Sequence, residues 1–170
     1  MEIRLLQPSD AAAYLKLRLE ALRLYPEAFG SSYEEERGDT PDKYERRFAA
    51  EAAFTYGAFV DGQLAGSVTL VPEVGLKLRH RANLVAVYVS ERCRRQGAAK
   101  ALLEAVHEQA LALEGLEQLH LGVASTNEAA ISLYEGFGFE RYGEEKRSLK
   151  IDGAYVDERL MVKFLYPKND

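Results

Sequence analysis

The stretch at 82–89, Ala-Asn-Leu-Val-Ala-Val-Tyr-Val, followed after a short turn by a helix-forming segment, leaves this chain few folds to choose from. A β-prone run with little polar alternation suits a central strand covered on both faces. From Gly97 the period changes. Leu102, Leu103, Val106, Ala110 and Leu113 fall on one stripe of a helix, with Lys100, Glu104, His107 and Glu108 opposite. A buried strand leading into an amphipathic helix commits the chain to a sheet with helices packed on it.

The flanking segments extend that pattern. A short strand around Ile3 and Leu5 precedes Ser9-Asp10, an N-cap signal. Leu15, Leu19 and Leu22 then recur at helical spacing, broadened by Leu17 and Leu24, until Pro26. Residues 29–33 read as loop, and Thr40-Pro41 as N-cap and first position of a second helix carrying Tyr44, Phe48 and Ala49. Runs at 54–60 and 64–71 around Asp61-Gly62 predict a β-hairpin. A strand at 118–124 leads to Thr126 or Asn127, either of which caps a short helix ending at 136–138. Runs at 139–149 and 154–165 form a second hairpin about Ile151-Asp152-Gly153, and the alternation of Met161 to Leu165 suits an edge strand. The expected order is β-α-α-β-β-β-α-β-α-β-β. This is a single α/β domain over residues 1–170 with one central, mixed, mostly antiparallel sheet flanked by helices.

Composition removes whole classes of function. The 170 residues carry 22 Lys+Arg against 27 Asp+Glu, a net charge of −5. Non-specific nucleic-acid binding needs a basic face, so no nucleic-acid partner is expected. No apolar run approaches the ~20 residues that span a bilayer, and the N-terminus lacks a signal-peptide core, so the expected address is the cytoplasm without membrane contact. The single cysteine, Cys93, forms no internal disulfide or cysteine zinc site. His80, His107 and His120 share no ligand spacing, so no metal is expected.

The chemistry is concentrated between strand and helix. Gly97, Ala98 and Ala99 are small enough for a ligand to approach the main chain. The first N–H groups of a helix lack intrahelical partners and sit at the positive end of its dipole, a ready anion site. Arg92, Arg94 and Arg95 stand beside it, suited to phosphate. Neither the Walker pattern nor Gly-x-Gly-x-x-Gly is present.

Arg94-Arg95-Gln96-Gly97-Ala98-Ala99 resembles the Arg/Gln-x-x-Gly-x-Gly/Ala motif of the GNAT superfamily of N-acetyltransferases. Residues 127–139 resemble its second motif: Asn127, a small residue, Leu133-Tyr134, then Gly136-Phe137 and Gly138-Phe139. The two motifs stand in the family's order, one helix and one strand apart. The resemblance implies acetyl-CoA as co-substrate and acyl transfer to a primary amine of a small molecule or peptide. It implies that main-chain amides from Arg95 to Lys100 hold the pyrophosphate. It further implies that Val87, Tyr88 and Val89 run beside the pantetheine arm, that Asn127 helps hold that arm, and that the strand containing Val123 splays away. Tyr134 matches the tyrosine that acts as general acid towards the departing thiolate. Arg95 stands where many members have Gly. A non-catalytic acyl-CoA-binding module on the same fold is the rival reading, and the phenol at Tyr134 favours an enzyme over it.

The residues between the first two helices shape specificity in that family. Here they are Phe29, Ser31, Ser32, Tyr33 and Glu34, with Glu35 and Glu36 following. A carboxylate there would attract a cationic amine, although three successive glutamates ordinarily form a solvated face. The cluster Lys77, Arg79, His80, Arg81 reads as a solvated loop or a contact for an anionic substrate. The hairpin at 142–155 is a candidate homodimer surface.

Overall fold

The computed structural model describes residues 1–166, so the last four residues of the expected single domain lie outside the description. Along the chain run β1 (Glu2–Leu5), α1 (Ala11–Leu24), α2 (Tyr33–Glu36), α3 (Pro41–Ala49), β2 (Phe54–Val60), β3 (Gln63–Pro72) and β4 (Arg81–Val89). Then follow α4 (Ala98–Ala112), β5 (Gln118–Ala124), α5 (Glu128–Gly136), β6 (Glu140–Ile151) and β7 (Ala154–Phe164). The four-residue α2 lies partly where loop was expected. Ser32 and Glu35 create it by a reciprocal capping box, their side chains each accepting a bond from the other's backbone N–H.

Both hairpins form at their Asp-Gly pairs. Asp61 and Gly62 take φ of 51° and 75°, and Asp152 and Gly153 take 48° and 83°. Tight hairpin turns need two successive positive φ values, which Asp tolerates and Gly adopts freely.

The strands form one sheet in the order β1-β2-β3-β4-β5-β7-β6. Every neighbouring pair is antiparallel except β4 and β5, which are parallel. The chain therefore places β7 inside the sheet and leaves β6 at the edge, contrary to the edge position expected for Met161 to Leu165. Met161 is fully buried, in the same core cluster as residues of α4 and α5. Its alternation reports one buried face, which an interior strand shares when only one side of the sheet is covered there.

Two cores lie on opposite faces. On one, Leu102, Leu103, Val106 and Ala110 of α4 and Ile131 and Tyr134 of α5 pack on Val68, Leu70, Leu84 and Leu119 of the sheet. Leu113 is only partly buried, and His107 is half-buried with its ring edge-on to Phe137 at 5.9 Å rather than facing water. On the other face, α1 and α3 pack over Phe59, Leu64 and Tyr88. The buried face of α1 is Tyr14, Leu17, Ala21 and Leu22, and Leu24 is exposed. That stripe is rotated from the expected one because leucines on several faces leave the period ambiguous, and Tyr14 locks against Tyr44 and Phe48 at 4.9 and 5.3 Å.

β4 is central but not covered along its whole length. Val85 is 41% exposed, because the face beyond it opens on a cavity. No helix among the described residues is long and apolar enough to cross a membrane.

Leu102 is 0% exposed at the centre of the α4 face. Leu102→Ala should lower the unfolding free energy by about 2–5 kcal/mol through lost burial and a residual void. Urea denaturation would read this as a lower midpoint at unchanged slope.

Candidate active site

The site begins with a broken pairing. β4 and β5 pair only through Arg81–Gln118, Ala82–Leu119 and Asn83–His120. Beyond these the strands continue to Val89 and Ala124 without pairing to each other, so a fork opens between them. Backbone groups that would have bonded across the gap face into it. Unpaired strand edges of this kind accept an extended ligand as an additional strand.

A bulge in β4 sharpens the fork. Val85 opposes Thr69 and Tyr88 opposes Ser67, so Ala86 and Val87 share one position opposite Val68, and Ala86 takes φ of 52°. The Ser67 hydroxyl donates to the Ala86 carbonyl at 3.3 Å.

At the end of β4 the chain turns into α4. Arg95 and Gly97 both adopt left-handed conformations, φ 61° and 81°. Among the described residues, none of the amides from Arg95 to Lys100 donates to another backbone carbonyl. They form a set of free N–H groups at the positive end of a fifteen-residue helix. Arg94 is fixed beside them: its Nε donates to the Val89 carbonyl at 3.1 Å and its guanidinium stacks 4.5 Å above the Tyr25 ring. Arg92 bonds Gln63, Gln96 bonds the Arg92 carbonyl, and Lys100 pairs loosely with Glu104. Cys93 is buried beneath this turn.

The fork opens into a cavity of about 840 Å³. Of the residues singled out in the sequence, Val87, Tyr88, Val89, Arg94, Ala99, Asn127, Tyr134, Phe29 and Ser31 line it. Arg95, Gln96, Gly97, Ala98 and Lys100 make the turn outside its lining. Ser32 is spent on capping α2, Tyr33 opens that helix, and Glu34 is exposed on its first turn. Asn127 Oδ1 accepts from the Ala130 N–H at 3.1 Å, so it caps α5 while lining the cavity.

Tyr134 is 5% exposed, edge-on to Phe139 at 5.8 Å. Burial pushes its phenol up to about 12, so the group is protonated at neutral pH and able to donate. Tyr88 donates to Glu20 at 2.9 Å, and burial and that carboxylate raise its phenol further out of range.

The sequence did not reveal several lining residues. Arg18, Tyr25 and Arg47 come from the helical side, and Glu158 from β7. The turn at Pro26–Ala28 crosses to pack on β5 and β6, bringing Glu27 to the cavity wall. Among the three successive glutamates it is Glu36 that turns inward. It accepts two bonds from Arg18, both at 2.9 Å, and one from Tyr44 at 3.1 Å. Burial works against its ionisation, but the Arg18 bonds and charge, aided by Ser31 and Tyr44, prevail and lower its carboxyl to about 2. This pair ties the 29–36 segment to α1 and sets the cavity's helical wall.

Comparison with known proteins identifies the family. The sequence matches the Acetyltransferase (GNAT) family over residues 18–139. The chain belongs to the GNAT acetyltransferase family. Its GNAT fold is shared with an acetyltransferase of that family from Streptococcus pneumoniae, at 28% identity, TM-score 0.86 and coverage of 96% of this chain and 98% of that one. A ribosomal-protein-alanine N-acetyltransferase from Brucella melitensis aligns at 23% identity and TM-score 0.81, covering 96% and 99%. The structure of yncA from Salmonella typhimurium, solved with its cofactor acetyl-CoA, aligns at 20% identity and TM-score 0.86, covering 100% and 96%. No curated protein sequence matches the chain. Membership of the GNAT family makes the chain an acetyltransferase and implies acetyl-CoA as donor.

Glu36 has a measurable consequence for the GNAT domain. Its carboxyl lies below the ordinary 4.5 in the folded state, so its stabilisation is present above about pH 4.5 and lost as pH falls towards 2. Glu36→Gln should be less stable than the parent at pH 7, with the gap narrowing by pH 3. Guanidinium unfolding at the two pH values checks this.

Proposed function

We propose that the chain is an N-acetyltransferase that moves the acetyl group of acetyl-CoA to a primary amine of a small molecule or peptide. The observation that carries this reading is the buried, protonated Tyr134 on the wall of a fork whose other edge is unpaired β4 backbone. The residues suit the donor. The free amides from Arg95 to Lys100 and the Arg94 guanidinium match a pyrophosphate, and the edge of Val87, Tyr88 and Val89 matches an extended amide-bearing arm. Gly97, Ala98 and Ala99 keep bulk away from that approach, and Gln96 braces the turn through the Arg92 carbonyl.

Bound acetyl-CoA supplies a thioester open to direct attack, with no covalent enzyme intermediate. A main-chain N–H of β4 near Val87 to Val89 is the donor for the oxygen charge that develops when an amine adds to a carbonyl. Tyr134 gives its proton to the leaving thiolate, and the proton that the attacking amine sheds passes to water, from which the phenolate is reprotonated. Asn127 caps α5 and so fixes the helix that carries Tyr134. Phe29 and Ser31 form part of the acceptor wall, with Ser32, Tyr33 and Glu34 shaping the segment behind it. The direct test is a panel of primary amines incubated with acetyl-CoA, read as release of free thiol. Amine-dependent release is expected, and its absence across the panel would refute the assignment.

Two variants test the parts. Tyr134→Phe should lower kcat by about 10²–10⁴-fold, the usual worth of a positioned acid, with acetyl-CoA affinity nearly unchanged. Gly97→Glu places a side chain at a left-handed φ and a negative charge beside the amides. It should weaken CoA binding by about tenfold or more in calorimetry.

A further inference from the structure

Two carboxylates line the cavity, Glu27 and Glu158, and only one is held in place. Glu158 lies on β7 opposite Ala124, at the far end of the splayed strand β5. Its carboxylate occupies space that a side chain at 122 would fill: a Cβ on Gly122 would stand 3.1 Å from Glu158 Oε2. Its other oxygen accepts a bond from the Ser148 hydroxyl. Ser148 is delivered by a bulge in β6, where 145–149 spans the length that 156–158 spans on β7 and Arg147 takes φ of 55°. Oε2 has no donor among the described residues. Glu158 also has no cationic partner among them. Arg18 is committed to Glu36, Arg94 to Val89 and Tyr25, and Arg47 reaches the cavity from α3 on the helical side. Glu27, by contrast, sits in the turn at Pro26–Ala28, and its side chain has no hydrogen bond among the described residues.

A fixed carboxylate facing a cavity walled by Leu121, Val85 and Leu133 leaves a negative charge unmatched. A primary ammonium is the compact, multiply donating cation that complements it. We propose that Glu158 binds the acceptor as its ammonium, which gives up a proton to water before its nitrogen attacks, and thereby selects cationic alkyl amines over neutral ones. This rests on the N-acetyltransferase reading above. Gly122 leaves the carboxylate its room and Ser148 aims it.

The test is steady-state thiol release by the full chain, with a primary alkyl amine and an aromatic amine that is uncharged at pH 7. Glu158→Gln keeps the shape and an acceptor for Ser148 but removes the charge. Its KM for the alkyl amine should rise by about tenfold or more, its KM for acetyl-CoA should stay within about twofold, and its preference for alkyl over aromatic amine should fall. Glu158→Asp, which keeps the charge, should retain the preference. An unchanged acceptor KM in Glu158→Gln would overturn the proposal. So would an equal loss for both amines, or the same loss in Glu27→Gln in its place. Wild-type protein with no amine-dependent thiol release would overturn the transferase reading itself, and this assignment with it.

Discussion

Everything at this site depends on two parallel strands that stop pairing. After Asn83 and His120 the backbones of β4 and β5 separate, and the N–H and C=O groups of their inner edges lose the partners that strands ordinarily provide. Such groups must be satisfied by water or by a ligand. A rigid, extended slot of backbone donors and acceptors is a recognition surface in its own right, independent of side-chain identity. The antiparallel neighbours hold it open: β3 grips β4 across the bulge, and β7 grips β5 along its whole length.

Charge is then distributed around the slot by position. The chain is net negative, yet the turn from Glu91 to Lys100 gathers free amides and arginines at one end of the fork. Arg18, the half-buried cation on the helical wall, is neutralised by Glu36, so it shapes the wall without adding net charge there. Tyr134 is made a better-kept acid by burial alone. One chain thus places a protonated phenol and a fixed carboxylate on the wall of a single cavity, with a turn of free amides at its end.

Local chemistry was legible where it is self-sufficient. Asp61-Gly62 and Asp152-Gly153 announce tight turns because positive φ is a property of those residues. Thr126 or Asn127 announces a cap, and it is Asn127 whose side chain reaches its own helix. The α4 stripe was legible through Ala110 because one clean period decides which face is buried. α1 was less so: with leucines on several faces, the aromatic cluster of Tyr14, Tyr44 and Phe48 chose the rotation. Glu34, Glu35 and Glu36 are equivalent in sequence. Arg18, eighteen residues away, decided that Glu36 turns inward.

The strands, every helix but α2, the two hairpins, the turn at Gly97 and the family motifs around Arg94 and Tyr134 were all legible in the sequence. These follow from backbone preference, hydrophobic period and short-range spacing. That β7 inserts between β5 and β6, that β4 and β5 part after Asn83, and that Glu158 rather than Glu34 looks into the cavity is visible only in the fold. Those outcomes depend on which distant strands share hydrogen bonds. A charged residue on an alternating strand carries no local mark of the face, or of the neighbour, it will meet.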